Sequence, residues 1–156
     1  MIKANSNNRE ALRLWLHLIT LTTVVEKKIR RNLKTKFETT LPRFDIMATL
    51  DRSGQKMTMG DLTSRLLVSK GNVTGVVASL VKQGLLKRER DKSDKRTHYL
   101  SLTNKGKREF SEQAKAHQGW INDYFSGQEM SELSAMVAQL SKLKETISQN
   151  QKRGVE

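Results

Sequence analysis

Apolar residues recur along this chain at the spacing of amphipathic helices, except in one central stretch where they alternate with polar residues. The first helix is predicted over residues 9–37, and apolar residues occupy most sides of its first half. A helix of this kind is buried on most sides, which in a short chain indicates packing between subunits. Further helices are predicted over residues 41–53, 59–67, 70–83, 104–126 and 129–150.

Capping residues mark the ends of several of these helices. Thr58 is a predicted N-cap with Asp61 three residues further on, and Ser69 and Thr103 are predicted N-caps of two later helices. Gly84 follows the 70–83 helix, at the position where a left-handed residue closes a helix.

The alternating stretch predicts two strands, over residues 86–90 and 97–102, joined by a loop over residues 92–95. Two short helices with a tight turn between them precede this hairpin. That order is typical of a winged helix-turn-helix, whose second helix enters the major groove of DNA. The sequence therefore predicts a mainly α fold with a small β-hairpin wing.

The last predicted helix carries an apolar seam with the 3-4-3-4 spacing of two heptads, formed by Leu133, Met136, Leu140, Leu143 and Ile147. Such a seam needs a partner helix, either from a second subunit, which we favour, or from the same chain. We therefore expect residues 41–104 to form the DNA-binding domain. Residues 1–40 and 105–156 together are expected to form a helical dimerisation region.

Charge supports a polyanionic partner. The 156 residues contain 29 Lys and Arg against 16 Asp and Glu, a formal net charge of +13. Residues 1–40 and 41–104 each carry +6, whereas residues 105–156 carry only +1. A solvated basic surface without any partner is the alternative that charge alone leaves open.

Several classes of protein are excluded by missing motifs. The chain has no Cys, no phosphate-binding loop, no Gly-rich dinucleotide turn and no HExxH pair, so we expect neither an enzyme nor a bound cofactor. His17, His98 and His117 fall on three different elements, so no metal site is expected. No signal peptide or membrane-spanning run is visible, and we expect a soluble, cytoplasmic protein without membrane contact.

The second helix of the helix-turn-helix has the residues of a DNA-reading face. Opposite its apolar stripe lie small and polar residues: Gly71, Asn72, Gly75, Ser79 and Lys82. Asn can pair with adenine, and Lys can bind guanine or phosphate. An ordinary solvent-facing surface is the alternative, and the basic hairpin beside it weakens that alternative.

The hairpin between Lys87 and Arg96 contains six basic and three acidic residues, and the predicted wing contacts are Arg88, Arg90, Asp94 and Arg96. An Arg at the tip of such a loop can enter a narrow minor groove. Asp94 is close enough in sequence to hold the Arg96 guanidinium in one pose, although a weak surface ion pair is the simpler alternative.

Residues 94–106, Asp-Lys-Arg-Thr-His-Tyr-Leu-Ser-Leu-Thr-Asn-Lys-Gly, match the D-x-R…L-x-L-T-x-x-G wing signature of MarR-type transcriptional regulators. Residues 68–75 and 81–85 are similar to that family's recognition helix and its exit. The resemblance implies a homodimer on a pseudo-palindromic DNA operator. It also implies that Arg96 enters the minor groove while Asp94 steadies the loop, and that the recognition-helix contacts fall on Ser69, Lys70, Asn72 and Thr74.

The resemblance further implies a small-molecule effector, often an aromatic acid, bound in a crevice between the dimer helices and the winged domain. Trp15, Arg43 and Phe44 lie on the predicted helices that border this crevice, although Trp15 also fits a core or dimer interface. The basic run from Lys27 to Lys36, which includes Arg31, either binds an anionic ligand such as an acyl-CoA or adds phosphate contacts.

These features predict a ligand-responsive DNA-binding transcriptional regulator, which we expect to be a repressor. The alternative is an architectural nucleic-acid-binding protein with the same fold and no effector.

Overall fold

The computed structural model describes the backbone of residues 2–66, 71–94 and 96–153, and the side chains of residues 9–66, 71–94 and 96–150. The chain divides into two compact units, residues 1–120 and residues 121–156, and each is described by itself. Among the described residues, no helix combines the length and the apolar character that crossing a membrane requires.

The described chain contains six helices and three short strands. The helices are α1 (Ile2–Phe37), α2 (Leu41–Ser53), α3 (Met59–Arg65), α4 (Val73–Lys82), α5 (Asn104–Phe125) and α6 (Met130–Arg153). The strands are β1 (Met57–Thr58), β2 (Leu86–Arg90) and β3 (His98–Leu102). The predicted mainly α fold with a small β wing is confirmed.

Helix α1 is longer than predicted, since it begins at Ile2 rather than at residue 9. Its apolar first half is exposed in the single chain: Trp15 is 58% exposed and Leu16 is 54% exposed. Only the second half joins the core of the first unit, through Ile29 and Leu33. The apolar excess of the first half therefore has no partner within the described part of this chain.

Helix α2 forms the centre of the core. Pro42 lies in its first turn, where the missing N–H costs no hydrogen bond, and Gly54 ends it with φ +63°. Its buried side chains pack with those of α3, α4, α5 and the sheet. The largest fully buried side chains of the whole core are Leu33, Ile46, Met47, Leu62, Leu80, Leu85, Leu86, Leu100 and Gln113.

The sheet is antiparallel, in the order β1-β3-β2. Strand β3 lies in the middle, with Leu100 paired to Met57 on one side and to Arg88 on the other. The two predicted wing strands are confirmed, but β1 was not predicted. A strand of two residues offers no alternation to detect, and its pairing depends on β3, which is more than forty residues away.

The start of α4 differs from the prediction. Thr58 caps α3 as predicted, since its hydroxyl accepts the Asp61 N–H at 3.1 Å, but α3 ends at Arg65 rather than residue 67. Helix α4 begins at Val73 rather than residue 70, because Asn72 has a left-handed backbone with φ +51°. The predicted N-cap Ser69 lies outside the described residues.

Helix α6, in the second unit, has the predicted seam on one side. Met136, Leu140 and Ile147 are each 44–51% exposed, and Leu133 and Leu143 are half-buried. The seam is therefore an apolar stripe on a helix of 24 residues, open to solvent over much of its length.

Candidate nucleic-acid interface

Helix α4 separates its apolar and polar residues sharply. Val73, Val77 and Leu80 are buried against the core, whereas Thr74 and Lys82 are exposed on the outside. This division places Thr74, one of the predicted contact residues, in the exposed first turn of α4. The N-terminal residues of a recognition helix are the ones that contact base edges.

Asn72 lies just before α4 and not on the face of the helix, which corrects the prediction. Gly71 lies in the same preceding turn. Among the described residues, the Asn72 side chain makes no capping hydrogen bond to α4. It instead lies over Gly75, so close that a Cβ added at Gly75 would be 2.6 Å from Asn72 Oδ1. The other two predicted readers, Ser69 and Lys70, lie outside the described residues.

Ser79 was predicted to face outward, but its hydroxyl is used inside the protein. It accepts a hydrogen bond from Arg43 Nη1 at 3.1 Å, and the Gln83 side-chain amide donates to it at 3.2 Å. Arg43 Nη2 also donates to Gln83 Oε1 at 2.6 Å. Arg43 thus joins α2 to the last turn of α4, a contact that no local sequence pattern signals.

The strands of the wing carry exposed cations. Arg88 and Arg90 alternate with Lys87 and Glu89 along β2, so the two Arg share one face of the strand with buried Leu86. Lys87 Nζ donates to Glu89 Oε1 at 3.0 Å, and this hydrogen bond lowers the pKa of Glu89.

The turn of the wing is held together by two carboxylates. Asp91 Oδ1 accepts the backbone N–H groups of Ser93 and Asp94 at 2.7 and 2.8 Å and the Ser93 hydroxyl at 2.6 Å. The hydrogen bond from the Ser93 hydroxyl, followed by the backbone N–H bonds, lowers the pKa of Asp91 to about 2. The turn closes through the Asp91 N–H, which donates to Thr97 O at 2.9 Å.

Asp94 holds the backbone beside Arg96 and not the guanidinium, which corrects the predicted ion pair. Asp94 Oδ1 accepts the Arg96 N–H at 3.0 Å, and Oδ2 accepts the Thr97 hydroxyl at 2.8 Å. These two bonds lower the pKa of Asp94. The exposed Arg96 side chain therefore extends from a fixed backbone, the arrangement that insertion into a groove requires.

The predicted effector-lining residues have different surroundings. Phe44 is only 7% exposed, and its ring lies 4.9 Å from the His117 ring and 5.5 Å from the Phe110 ring. Burial in this aromatic cluster lowers the pKa of His117. Arg43, the adjacent residue, instead points to α4, and Trp15 lies on the exposed half of α1.

The basic run on α1 is exposed at Lys27 and Arg31. Lys27 lies twelve residues after Trp15, about 18 Å along the helix axis. This separation is longer than a single aromatic acid but within the length of an extended acyl-CoA. Among the described residues, no group of three His, Cys, Asp or Glu side chains is arranged to hold a metal ion.

Together, an exposed helix behind a tight turn and a cationic hairpin beside it define a winged helix-turn-helix DNA-binding protein. Comparison with known proteins identifies the family. Residues 38–97 match the model of the MarR family. The chain is 35% identical over 119 residues to the HTH-type transcriptional regulator YkoM of Bacillus subtilis (strain 168), covering 76% of this chain and 75% of that protein.

Solved structures agree with this assignment. A MarR family transcriptional regulator from Silicibacter pomeroyi has a TM-score of 0.77 and 27% identity, over 90% of this chain and 97% of that one. Sco3205, a MarR family regulator from Streptomyces coelicolor solved in complex with DNA, has a TM-score of 0.73 and 21% identity, over 86% and 84% of the two chains. The chain belongs to the MarR family of transcriptional regulators and is not an enzyme.

Proposed function

We propose that this protein is a homodimeric repressor that binds a pseudo-palindromic operator and is released by a small aromatic or anionic ligand. The observation that carries the DNA-binding part is the pairing of an exposed α4 N-terminus with a wing turn whose backbone is fixed beside Arg96. The DNA complex of Sco3205 supports the same use of the fold. The protein then acts where chromosomal DNA is found, in the cytoplasm.

In this proposal the two parts of the interface have different tasks. Ser69, Lys70, Asn72 and Thr74 meet base edges and phosphates in the major groove, since a recognition helix uses its N-terminal residues for this. Arg96 enters the minor groove, and Arg88 and Arg90 contact the flanking phosphates.

Dimerisation is supported by apolar surface that the single chain leaves open. The first half of α1 exposes Leu12, Trp15 and Leu16, and α6 exposes Leu140 and Ile147. Burying such surface contributes about 25 cal/mol per Å². We therefore assign residues 1–40 and 105–156 to a dimerisation region and residues 41–104 to the DNA-binding domain.

The effector part of the proposal is supported by the position of Arg43 and Phe44. Phe44 lies in the aromatic cluster with His117, and Arg43 holds the last turn of α4. A ligand that displaces this segment of α2 changes the position of α4 and weakens DNA binding. The basic run that includes Lys27 and Arg31 supplies the countercharge for an anionic ligand.

The DNA-binding part is tested by specificity at fixed salt. Wild-type protein is used to select an operator from a randomised duplex pool, and its affinity for that operator is compared with its affinity for a scrambled duplex. A repressor prefers its operator by about 10³-fold or more. Equal affinity for both duplexes contradicts the proposal and favours an architectural nucleic-acid-binding protein.

The dimer and the effector need separate measurements. Light scattering gives the mass of the wild-type protein and of the Leu140→Glu variant. The variant should be a monomer if the α6 seam is the dimer interface. A monomeric wild type contradicts the proposed dimer. Thermal-shift titrations with aromatic acids and their CoA thioesters test the effector. If operator DNA raises the melting temperature and none of these compounds does, the effector proposal fails while the DNA-binding proposal stands.

A further inference from the structure

The contact between Asn72 and Gly75 is a feature that the recognition role of α4 does not by itself explain. A Cβ built on Gly75 would lie 2.6, 3.0 and 3.1 Å from Oδ1, Nδ2 and Cγ of Asn72. The whole carboxamide therefore occupies the space above Gly75. Asn72 in its present pose and a side chain at position 75 exclude each other.

The backbone of Asn72 produces this pose. With φ +51° and ψ +34°, Asn72 is one of the two described non-glycine residues with a positive φ, the other being Glu38. Asn tolerates the left-handed region better than most residues. This conformation sends the side chain forward along α4 to its first turn, where the absence of a Cβ at Gly75 leaves room for it.

The carboxamide also lies where a base edge can reach it. Among the described residues it makes no capping hydrogen bond to the helix, and Asn72 is exposed. Its Oδ1 and Nδ2 atoms can together accept from N6 and donate to N7 of adenine. In this pose the carboxamide lies along the first turn of α4, the part of a recognition helix that meets base edges.

From this geometry we infer that Asn72 and Gly75 act as one specificity-determining pair, in which Gly75 positions the Asn72 carboxamide to read one adenine of the operator. Asn72 contacts the base, and Gly75 is a positioning residue that acts through Asn72. The inference rests on the proposed binding of DNA by α4 and adds the source of its base preference.

The test compares two single variants, their double variant and a control variant on wild-type-selected operator duplexes in which each base pair is changed in turn. Asn72→Gly removes the carboxamide and tolerates the positive φ. Gly75→Ala leaves Asn72 in the chain but pushes its carboxamide aside. Both variants should lose about tenfold or more of the discrimination at one adenine position, while their affinity for a random duplex at the same salt is unchanged.

The double variant separates positioning from a direct effect of the added methyl group. If Gly75 acts through Asn72, Gly75→Ala changes nothing further in the Asn72→Gly background. Gly119→Ala is the matched Gly-to-Ala control, because it lies on α5 away from the proposed DNA contacts, a Cβ at Gly119 meets no atom within 4 Å, and it should retain the adenine preference. Melting curves confirm that each variant is folded, and Ala at position 75 favours the helix over Gly.

Each contrary outcome has a distinct meaning. Full adenine discrimination in Gly75→Ala overturns the positioning role, and full discrimination in Asn72→Gly overturns the pair. A loss in Gly119→Ala equal to that in Gly75→Ala also contradicts the inference. A wild-type protein that selects no operator at all contradicts the proposed function instead.

Discussion

Replacing Gly106 by Ala tests how the wing is joined to helix α5. Gly106 is buried in the first turn of α5, where the helix crosses the backbone of Leu85, the residue before β2. A methyl group at Gly106 would overlap the Leu85 carbonyl oxygen and would lie 3.0 Å from the Leu85 carbonyl carbon and 3.3 Å from Leu102 Cδ2. Two of these atoms belong to the backbone, so no side-chain rotation relieves the overlap.

The cost follows from what must move. Overpacking of this kind costs about 1–3 kcal/mol. Shifting α5 also stretches the bonds that Thr103 makes, from its N–H to Leu85 O at 3.0 Å and from its hydroxyl to Gly84 O at 2.6 Å. Each contributes about 1 kcal/mol. Ala favours a helix over Gly by about 1 kcal/mol, so the net loss is about 2–4 kcal/mol. For a chain of this length, that lowers Tm by about 5–15 °C.

Gly119→Ala provides the control within the same helix. A Cβ at Gly119 meets no atom within 4 Å, so the free energy of unfolding should rise by about 0.5–1 kcal/mol. Both variants and the wild type are unfolded by urea and by heat at one protein concentration and followed by circular dichroism. A Gly106→Ala protein as stable as the wild type would refute the close approach of α5 to Leu85.

Three further predictions concern the DNA interface. Arg96→Ala should lower operator affinity by about tenfold or more in a binding titration and leave the melting temperature unchanged. Lys92→Ala is the control, since it also removes a positive charge from the wing, and it should lower the affinity less. Arg43→Ala should reduce both stability and operator affinity, because α4 loses its two side-chain bonds to α2, whereas Arg52→Ala on the same helix should change neither. Because the pKa of Asp91 is lowered to about 2, its stabilisation of the turn is complete above about pH 4 and disappears as the pH falls towards 2. Faster amide exchange at Ser93 over that range checks this, and Asp91→Ala should show the same fast exchange, with weaker operator binding, at neutral pH.

The parts of the fold that sequence predicts well depend on short-range chemistry. Thr58 and Thr103 cap helices because their hydroxyls accept an N–H three residues ahead, and both contacts are present. Gly84 ends α4 with φ +71°, which a glycine adopts without strain. The alternation of Leu100 and Leu102 likewise fixes which face of β3 is buried. Each signal lies within a few residues of the structure that it predicts.

The start of α4 was missed although a signal was present. The predicted start at residue 70 depended on Ser69 as an N-cap, but Gly71 followed by Asn72 is a turn dipeptide, and Asn readily adopts a positive φ. The local backbone preference of two residues outweighed the helical pattern around them. The contact of Arg43 with Gln83, in contrast, joins residues forty positions apart, and only the folded chain brings them together.

Net charge also misleads at the wing. Counting charges treats Asp91 and Asp94 as groups that offset the cations of the hairpin, so removing one, which raises the formal net charge from +13 to +14, should strengthen binding to DNA. In the structure these carboxylates stabilise the turn. Together they accept five hydrogen bonds from its N–H and O–H groups, one of them from the N–H of Asp94 itself. The position of Arg96 depends on those bonds. We therefore expect Asp91 and Asp94 to increase the affinity for DNA, because the geometry that they fix outweighs the repulsion that they add.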